Sequence, residues 1–296
     1  MSIWWCVAQA GFFVTSRIAT QAGAQVAAST PCSTSGPGRT VFDYAYLLFM
    51  LPHSLVAVSL VTAAFTTMSL AARDGQVARV REQLSNTLRL TAVPSMLATA
   101  AFLVLGPQIT AAIFPGSSAA STQQYAAVAT AMLVGLAPFS AQYLLQRVFY
   151  AYEDARTPFL IGGLSTLVWV GGNLVAAQVL PADRVVVGVG LAMSLSNLVG
   201  VGVALPLLRR RLGRLDGTAI ASTYLRLGAA AAVAGLAAWA VREAMYRMTG
   251  PGYLSGVLVL VVAGTTLVAG YALVARALKV TELGSLVTPA LSRLRR

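Results

Sequence analysis

Polar and ionisable side chains are scarce in this sequence, and those that interrupt its apolar runs are the ones placed to do chemistry. Arg17, in "FFVTSRIAT", carries a permanent positive charge suited to a phosphate or carboxylate. Asp43 stands near the start of "FDYAYLLFMLPHSLVAVSLVTAAFTTMS", and Pro52-His53 falls a third of the way along it; His53 is the single histidine of the chain. A proline lacks the amide donor, so a kink is expected at Pro52, with His53 and Ser54 following at the weakened turn, where free backbone groups can face a cavity. Further on, "LAPFSAQYLLQRVFYAYEDARTPF" sets Gln142, Gln146 and Tyr150 on one helical stripe, with Tyr143 and Arg147 beside it. Asn173 in "WVGGNLVAA" and Ser194, Ser196 and Asn197 in "LAMSLSNLVG" are polar groups set deep in apolar surroundings.

Each of these residues also has a plainer role. Arg17 can snorkel to the headgroups instead of anchoring an anion in a water-filled cavity. Asp43 can answer a helix N-terminus instead of facing Arg17 across a cavity. Asn173, Ser194 and Asn197 can join helices by hydrogen bonds, or form a cation site with their carbonyls. The acidic turn Glu153-Asp154-Ala155-Arg156-Thr157-Pro158 reads as a tight helix–helix connection, with Thr157 as a capping candidate and Pro158 in the first turn of the next helix. On balance Asp43 and His53 are expected to face a cavity rather than lipid. No Ser-His-Asp arrangement, facing acid pair, metal-ligand cluster or phosphate-binding loop occurs. Binding or movement at a membrane is therefore expected, not enzymatic catalysis, and no cofactor or metal.

The elements that hold these residues follow from composition. Of 296 residues 57% are hydrophobic and 10% charged, against about 25% charged in soluble domains. Apolar runs cover about 3–24, 42–71, 90–114, 124–151, 158–180, 184–208, 219–241 and 253–277, each near or above the ~20 residues needed to cross a bilayer. Backbone groups in lipid must be satisfied internally, so the fold class is an all-α integral membrane protein with eight spans. Arginines 73, 79, 81, 89, 147, 156, 209, 210, 211 and 214 cluster in alternate connections, and Arg276, Lys279, Arg293, Arg295 and Arg296 end the chain. The positive-inside rule makes that side cytoplasmic, with both termini inside. The net charge of +12 is thus an orientation signal and not a nucleic-acid footprint. No cleavable signal peptide is expected, and Cys6 and Cys32 lie too far apart along a helix for a disulfide.

Residues 25–41, rich in Ser, Thr, Pro and Gly, read as an outer loop. "RDGQVARVREQLSN" reads as an interfacial connector, and the tail from 278 as an amphipathic helix on the anionic leaflet.

The two quoted stretches, 42–69 and 136–159, together with "QAGFFVTSRIAT", resemble the eighth, tenth and seventh helices of the MurJ/MviN lipid II flippases of the MOP transporter superfamily, and the Arg-, Ala- and Val-rich usage suggests an actinobacterial member. The resemblance implies helices seven to fourteen of a fourteen-helix, two-lobed fold: a six-helix lobe over 1–208, a helix pair over 209–277 and a cytoplasmic tail over 278–296. It implies movement of a lipid-linked peptidoglycan precursor from the inner to the outer leaflet of the bacterial plasma membrane, driven by membrane potential or an ion gradient. Arg17, Asp43, His53, Ser54, Gln142 and Arg147 are then cavity candidates, and Asn173, Ser194 and Asn197 cation-site candidates. Membrane lipids, and a missing first lobe or partner subunit, are the implied partners. The sequence departs from the family at Leu47, where many members carry an arginine; Arg17 is expected to supply that charge. Another MOP-type exporter, or a non-transporting scaffold for cell-wall synthesis, is the alternative.

Overall fold

The computed structural model describes residues 2–29, 38–213, 215–250, 252–280, 282 and 284, and everything ordered in them is helical. Each apolar run falls on one helix or on two consecutive pieces. Helix α1 spans Ser2–Ser29, α2 Arg39–Pro52, α3 Val58–Arg73, α4 Val77–Ile113 and α5 Ala119–Leu133. Then come α6 (Leu136–Ala151), α7 (Arg156–Val179), α8 (Val185–Leu212), α9 (Gly217–Thr249) and α10 (Tyr253–Ala277). Among the described residues six helices are long and apolar enough to cross a membrane, counting 39–73 as one, and the bent pair α5–α6 makes a seventh. Helix α1 has the length for an eighth, about 42 Å at 1.5 Å per residue, but Gln9 and Arg17 lower its apolarity.

Three expectations about helix ends are corrected. The outer loop is shorter than 25–41 because α1 continues to Ser29 and α2 begins at Arg39; residues 30–37, Cys32 among them, lie outside the described residues. The connector after α3 is not a separate element. Its Arg, Gln, Glu and Leu residues are good helix formers and simply begin the 37-residue α4, whose Val80, Leu84 and Leu88 are buried in a core shared with α3, α6 and α8. The run 124–151 is not one straight helix: it bends by 47° at Val134-Gly135. Pro138 lacks the N–H that would have tied Val134 into a continuous helix, and it sits comfortably in the first turn of α6.

Pro52 acts differently from the expected kink. The helix runs on, but His53–Ala57 forms a single π-helical turn between α2 and α3. The wider turn takes up one extra residue beside the missing donor while the helix continues on both sides, a form common at functional positions.

The apolar core has three parts. One joins α1, α2, α5 and α8 around Phe42, Phe49, Met132 and Val189. The second joins α3, α4, α6 and α8 around Met68, Leu84 and Leu144. The third seats α9 and α10 on α4, with Ala230, Ala234, Val259, Ala263 and Leu267 buried. Small residues let α9 and α10 approach closely, as membrane helices do in the absence of a hydrophobic drive between them. Tyr271 Oη donates to Val93 O at 2.9 Å, and Arg242 Nη1 donates to Val104 O at 2.6 Å, where α4 leaves helical geometry at Leu105. The outward side of α7 exposes Leu160, Leu167, Val175 and Val179, the expected surface for lipid. Of the expected amphipathic tail, residues 281, 283 and 285–296 lie outside the described residues, while Glu282 pairs with Arg89 of α4 at 3.0 Å.

Candidate functional site

Backbone breaks inside a membrane need donors, and the bend between α5 and α6 recruits them from two neighbours. Ser194 of α8 donates to Ala131 O at 2.7 Å, with Met132 O at 3.1 Å, and Thr99 of α4 donates to Leu133 O at 2.7 Å. Gly135 makes this possible: a Cβ there would stand 2.5 Å from Ser194 Cα. The bend aims α6 so that its Gln142 and Gln146 reach α7 and α8.

There they line a cavity of about 510 Å³ between α1, α2, α6, α7 and α8. Gln9, Gln142, Gln146, Ser165, Thr166, Ser196 and Asn197 are its polar side chains; Phe12, Tyr46, Phe139 and Trp169 supply aromatic surface, and among the described residues no charged side chain lines it. Gln142 is 7% exposed, and its Nε2 donates to Ser165 Oγ at 3.2 Å. Its Oε1, Asn197 Nδ2 and Trp169 Nε1 are buried without a protein partner. Gly200 opens the space for Gln142, since a Cβ there would lie 2.4 Å from Oε1.

The other candidates are placed elsewhere. His53 is buried, with Nδ1 3.1 Å from Ser140 Oγ and its ring 4.5 Å from that of Phe139 and 5.4 Å from that of Tyr143. Its imidazole is therefore set into the contact with α6, behind the aromatic wall of the cavity, and does not face it. Ser54 is exposed and returns its hydroxyl to Met50 O at 2.8 Å. Asp43 is exposed and pairs with Arg39 on its own helix at 3.4 Å, not with Arg17. The helix starts at Arg39, a full turn ahead of Asp43, so the acid is no N-terminal cap either. Arg17 is exposed, its guanidinium 5.4 Å from the centroid of Phe13 on the same helix. Arg147, toward the C-terminal end of α6, donates to Tyr143 Oη at 2.7 Å and lies against the rings of Tyr143 and Phe65; no ion pair with an acid forms among the described residues.

The three cation candidates are not gathered into one site. Asn173, with no exposed surface, donates from Nδ2 to Thr15 Oγ1 on α1 at 2.8 Å. Ser194 is committed to the α5–α6 bend, and only Asn197 lines the cavity. Sequence reading missed Ser165, Trp169 and the aromatic wall. The stripe Gly162–Ser165–Trp169 in "GGLSTLVW" was the available signal, at spacings that share a helix face.

At the end of α6, Asp154 takes the capping role expected of Thr157. Its carboxylate accepts from the backbone N–H groups of Thr157 and Arg156, both at 3.1 Å, from Thr157 Oγ1 at 2.9 Å and from Arg211 Nη1 at 3.1 Å. The Thr157 backbone N–H, then its hydroxyl and the Arg211 charge, outweigh the opposing effect of burial and hold Asp154 below its ordinary carboxylate value. A depressed acid stabilises the fold fully above its unfolded value of about 3.9, and that contribution is lost as pH falls through the lower native value. Asp154→Ala is expected to cost about 1 kcal/mol at neutral pH, the usual worth of a cap. It should also flatten the acid limb of stability, measured as thermal unfolding of the detergent-solubilised protein against pH.

Comparison with known proteins agrees with this geometry. The family model described as "Lipid II flippase MurJ" matches residues 3–260. A probable lipid II flippase MurJ of Rickettsia prowazekii (strain Madrid E) is 24% identical over 155 residues, which are 52% of this chain and 31% of that protein. A solved structure, the lipid II flippase MurJ in its inward closed conformation, superposes with a TM-score of 0.59 over 81% of this chain and 48% of its own, at 17% identity. The chain thus spans half or less of the length of these relatives, and the structural likeness shows that it shares their fold. With a family model running from α1 into α10 and a fold that agrees with it, this chain belongs to the lipid II flippase MurJ family.

Proposed function

We propose that this chain forms the second lobe and terminal helix pair of a lipid II flippase, which carries the lipid-linked peptidoglycan precursor from the inner to the outer leaflet of the bacterial plasma membrane. The observation that carries this reading is the family match over residues 3–260, on a bundle whose broken span positions a cavity lined in part by amides and hydroxyls. The boundaries proposed are a lobe to about 208, the helix pair to 277 and a cytoplasmic tail beyond. The seating of α9 and α10 on α4 supports this division, although α8 extends four residues past the expected limit, to Leu212. The arginine-rich ends, including Arg209–Arg211 in the last turn of α8, face the cytoplasm with both termini.

Transport here needs no bond chemistry and no cofactor. A pyrophosphate headgroup carrying about two negative charges gains on the order of 4–5 kcal/mol per 100 mV when it moves outward across an inside-negative membrane. The lobe's task is to bind the headgroup weakly on one side and release it on the other. Arg147 is the cation proposed to meet the pyrophosphate on its cytoplasmic approach, since Tyr143 and Phe65 shape its position without neutralising it. Arg17 is proposed to meet it nearer the outer side. The remaining surface of the path is proposed to come from a first lobe, whether joined to this chain or supplied by a partner.

The test is complementation of a bacterium depleted of its own lipid II flippase, by this chain with and without a first lobe, reading lipid II in each leaflet. Restored export is expected, and Arg147→Gln should lower it about tenfold at equal membrane abundance, the loss of one charge-assisted contact. Failure of both forms to restore export overturns the reading. Normal lipid II with displaced cell-wall synthases would favour a scaffold, and export of a different lipid-linked saccharide would favour another cargo.

A further inference from the structure

His53 is the single histidine of the chain, and the path proposed for the headgroup makes no use of it. It is 5% exposed, and its ring makes one hydrogen bond among the described residues, with Nδ1 3.1 Å from Ser140 Oγ. A hydroxyl is both donor and acceptor. Ser140 therefore donates to a neutral imidazole nitrogen and accepts from a protonated one, so the contact survives a change of charge; a backbone carbonyl in its place would serve only a ring N–H. The rings of Phe139, at 4.5 Å, and Tyr143, at 5.4 Å, offer aromatic surface that favours a cationic imidazolium. Other charges around the π turn are few. The helix α4 packs on it and has no ionisable side chain from residue 90 to its end. Two turns earlier α2 brings Tyr46, then Asp43, which is paired with Arg39, and α3 brings no ionisable group before Arg73. From α6 come Tyr143 and, one turn on, Arg147, whose Nη2 donates to Tyr143 Oη at 2.7 Å and whose guanidinium carbon lies 4.9 Å from the centroid of that ring. Tyr143 thus touches both His53 and Arg147, which sets them within about 10 Å of each other, a range over which charges still sense one another at moderate salt.

We infer that His53 is a proton-binding site whose occupancy is set by the charge held at Arg147. An Arg147 without an anion repels a proton from the imidazole, and an anion seated on Arg147 removes that repulsion, so anion binding and proton uptake favour each other. By reciprocity, lowering the pH tightens anion binding by the same factor. At an effective dielectric constant of about 20, two unit charges about 10 Å apart alter each other's occupancy about tenfold. Only a proton is exchanged, between water and a ring nitrogen. The inference rests on the reading of Arg147 as the pyrophosphate's cation for the identity of the anion, and it adds a pH dependence to that contact.

A single histidine lets its protonation be read alone. The full chain, made without a histidine tag and with carbon-13-labelled histidine, is placed in phosphatidylcholine nanodiscs. The imidazole carbon shift is followed by NMR from roughly pH 4 to pH 9, with and without inorganic pyrophosphate, whose own phosphorus signal reports its binding. Pyrophosphate is expected to raise the midpoint of the His53 titration by about one pH unit, the tenfold change in occupancy. Arg147→Gln should show a raised midpoint from the start and no further response to pyrophosphate. Arg147→Lys keeps the charge and should keep the midpoint of the unaltered protein, which a purely structural role for Arg147 would not require. A His53 that does not titrate over this range overturns the inference, as does a midpoint that neither Arg147→Gln nor pyrophosphate moves; if pyrophosphate still binds, the anion reading of Arg147 stands without the proton. A pyrophosphate response that persists in Arg147→Gln places the anion elsewhere and also overturns it. A midpoint moved by Arg147→Gln and not by pyrophosphate upholds the proton site and removes the anion from Arg147.

Discussion

Gly135→Ala will yield little folded protein in the membrane. The added methyl group would lie 2.5 Å from Ser194 Cα and 2.7 Å from its Cβ, and a backbone atom cannot rotate aside as a side-chain end can. Either α8 shifts away or the bend between α5 and α6 opens. Both break the bond from Ser194 to Ala131 O, leaving that carbonyl without its side-chain donor where water is scarce. Overpacking alone costs about 1–3 kcal/mol, and the stranded carbonyl adds more, so a loss of at least about 3 kcal/mol is expected. Comparison with Ser194→Ala separates the two causes. That variant loses the donor without the clash and should fall by only about 1–2 kcal/mol. Fluorescence-detected size exclusion after graded heating measures both, and a Gly135→Ala protein as heat-resistant as Ser194→Ala would contradict the close-contact account.

Thr15→Val carries the second largest effect. Asn173 has no exposed surface; its Nδ2 has Thr15 Oγ1 as partner at 2.8 Å, and its Oδ1 already lacks one. Removing the hydroxyl leaves the whole amide buried and unpaired, at about 1–3 kcal/mol. The double variant Thr15→Val/Asn173→Leu should recover most of that loss, because replacing both partners by apolar groups of similar shape removes the stranded amide with the bond. Thermal stability of the two single variants and the double one forms the cycle. An additive double variant would show that Asn173 is held by something other than Thr15.

Much of the architecture was legible because bilayer thickness makes long apolar runs unambiguous, and all eight runs fall on helices. What periodicity could not reveal was the state of the junctions. Gly135-Leu136-Ala137-Pro138 contains the signs of a bend, yet an apolar run hides them, since neither glycine nor proline interrupts hydropathy. The first turns of α4 hid their continuity for the opposite reason: Arg, Glu and Gln suggested a separate connector, whereas Val80, Leu84 and Leu88 turn one face of the same segment into the core. Among the site candidates, residue type identified which groups are polar but not which neighbour claims them. Gln142 and Asn197 meet at one cavity because Gly200 lets the amide lie against α8. Asp43 is claimed by Arg39 one turn away, and His53 by Ser140, 87 positions distant in sequence. Such pairings depend on crossing geometry between helices, to which a single chain's pattern gives no access.

The π turn at His53–Ala57 changes the phase of the helix it interrupts. A turn of this kind accommodates one residue more than an α-helical turn, so everything after it is rotated by about 100° relative to the uninterrupted pattern. The two halves can thereby present their apolar stripes in independent directions. Val41, Ala45 and Leu48 enter the core shared with α5, while Val61, Ala64, Met68 and Ala71 enter the core shared with α4 and α6. One transmembrane rod thus serves two bundles of neighbours, and the proline that starts the extra turn fixes where the change of partner falls.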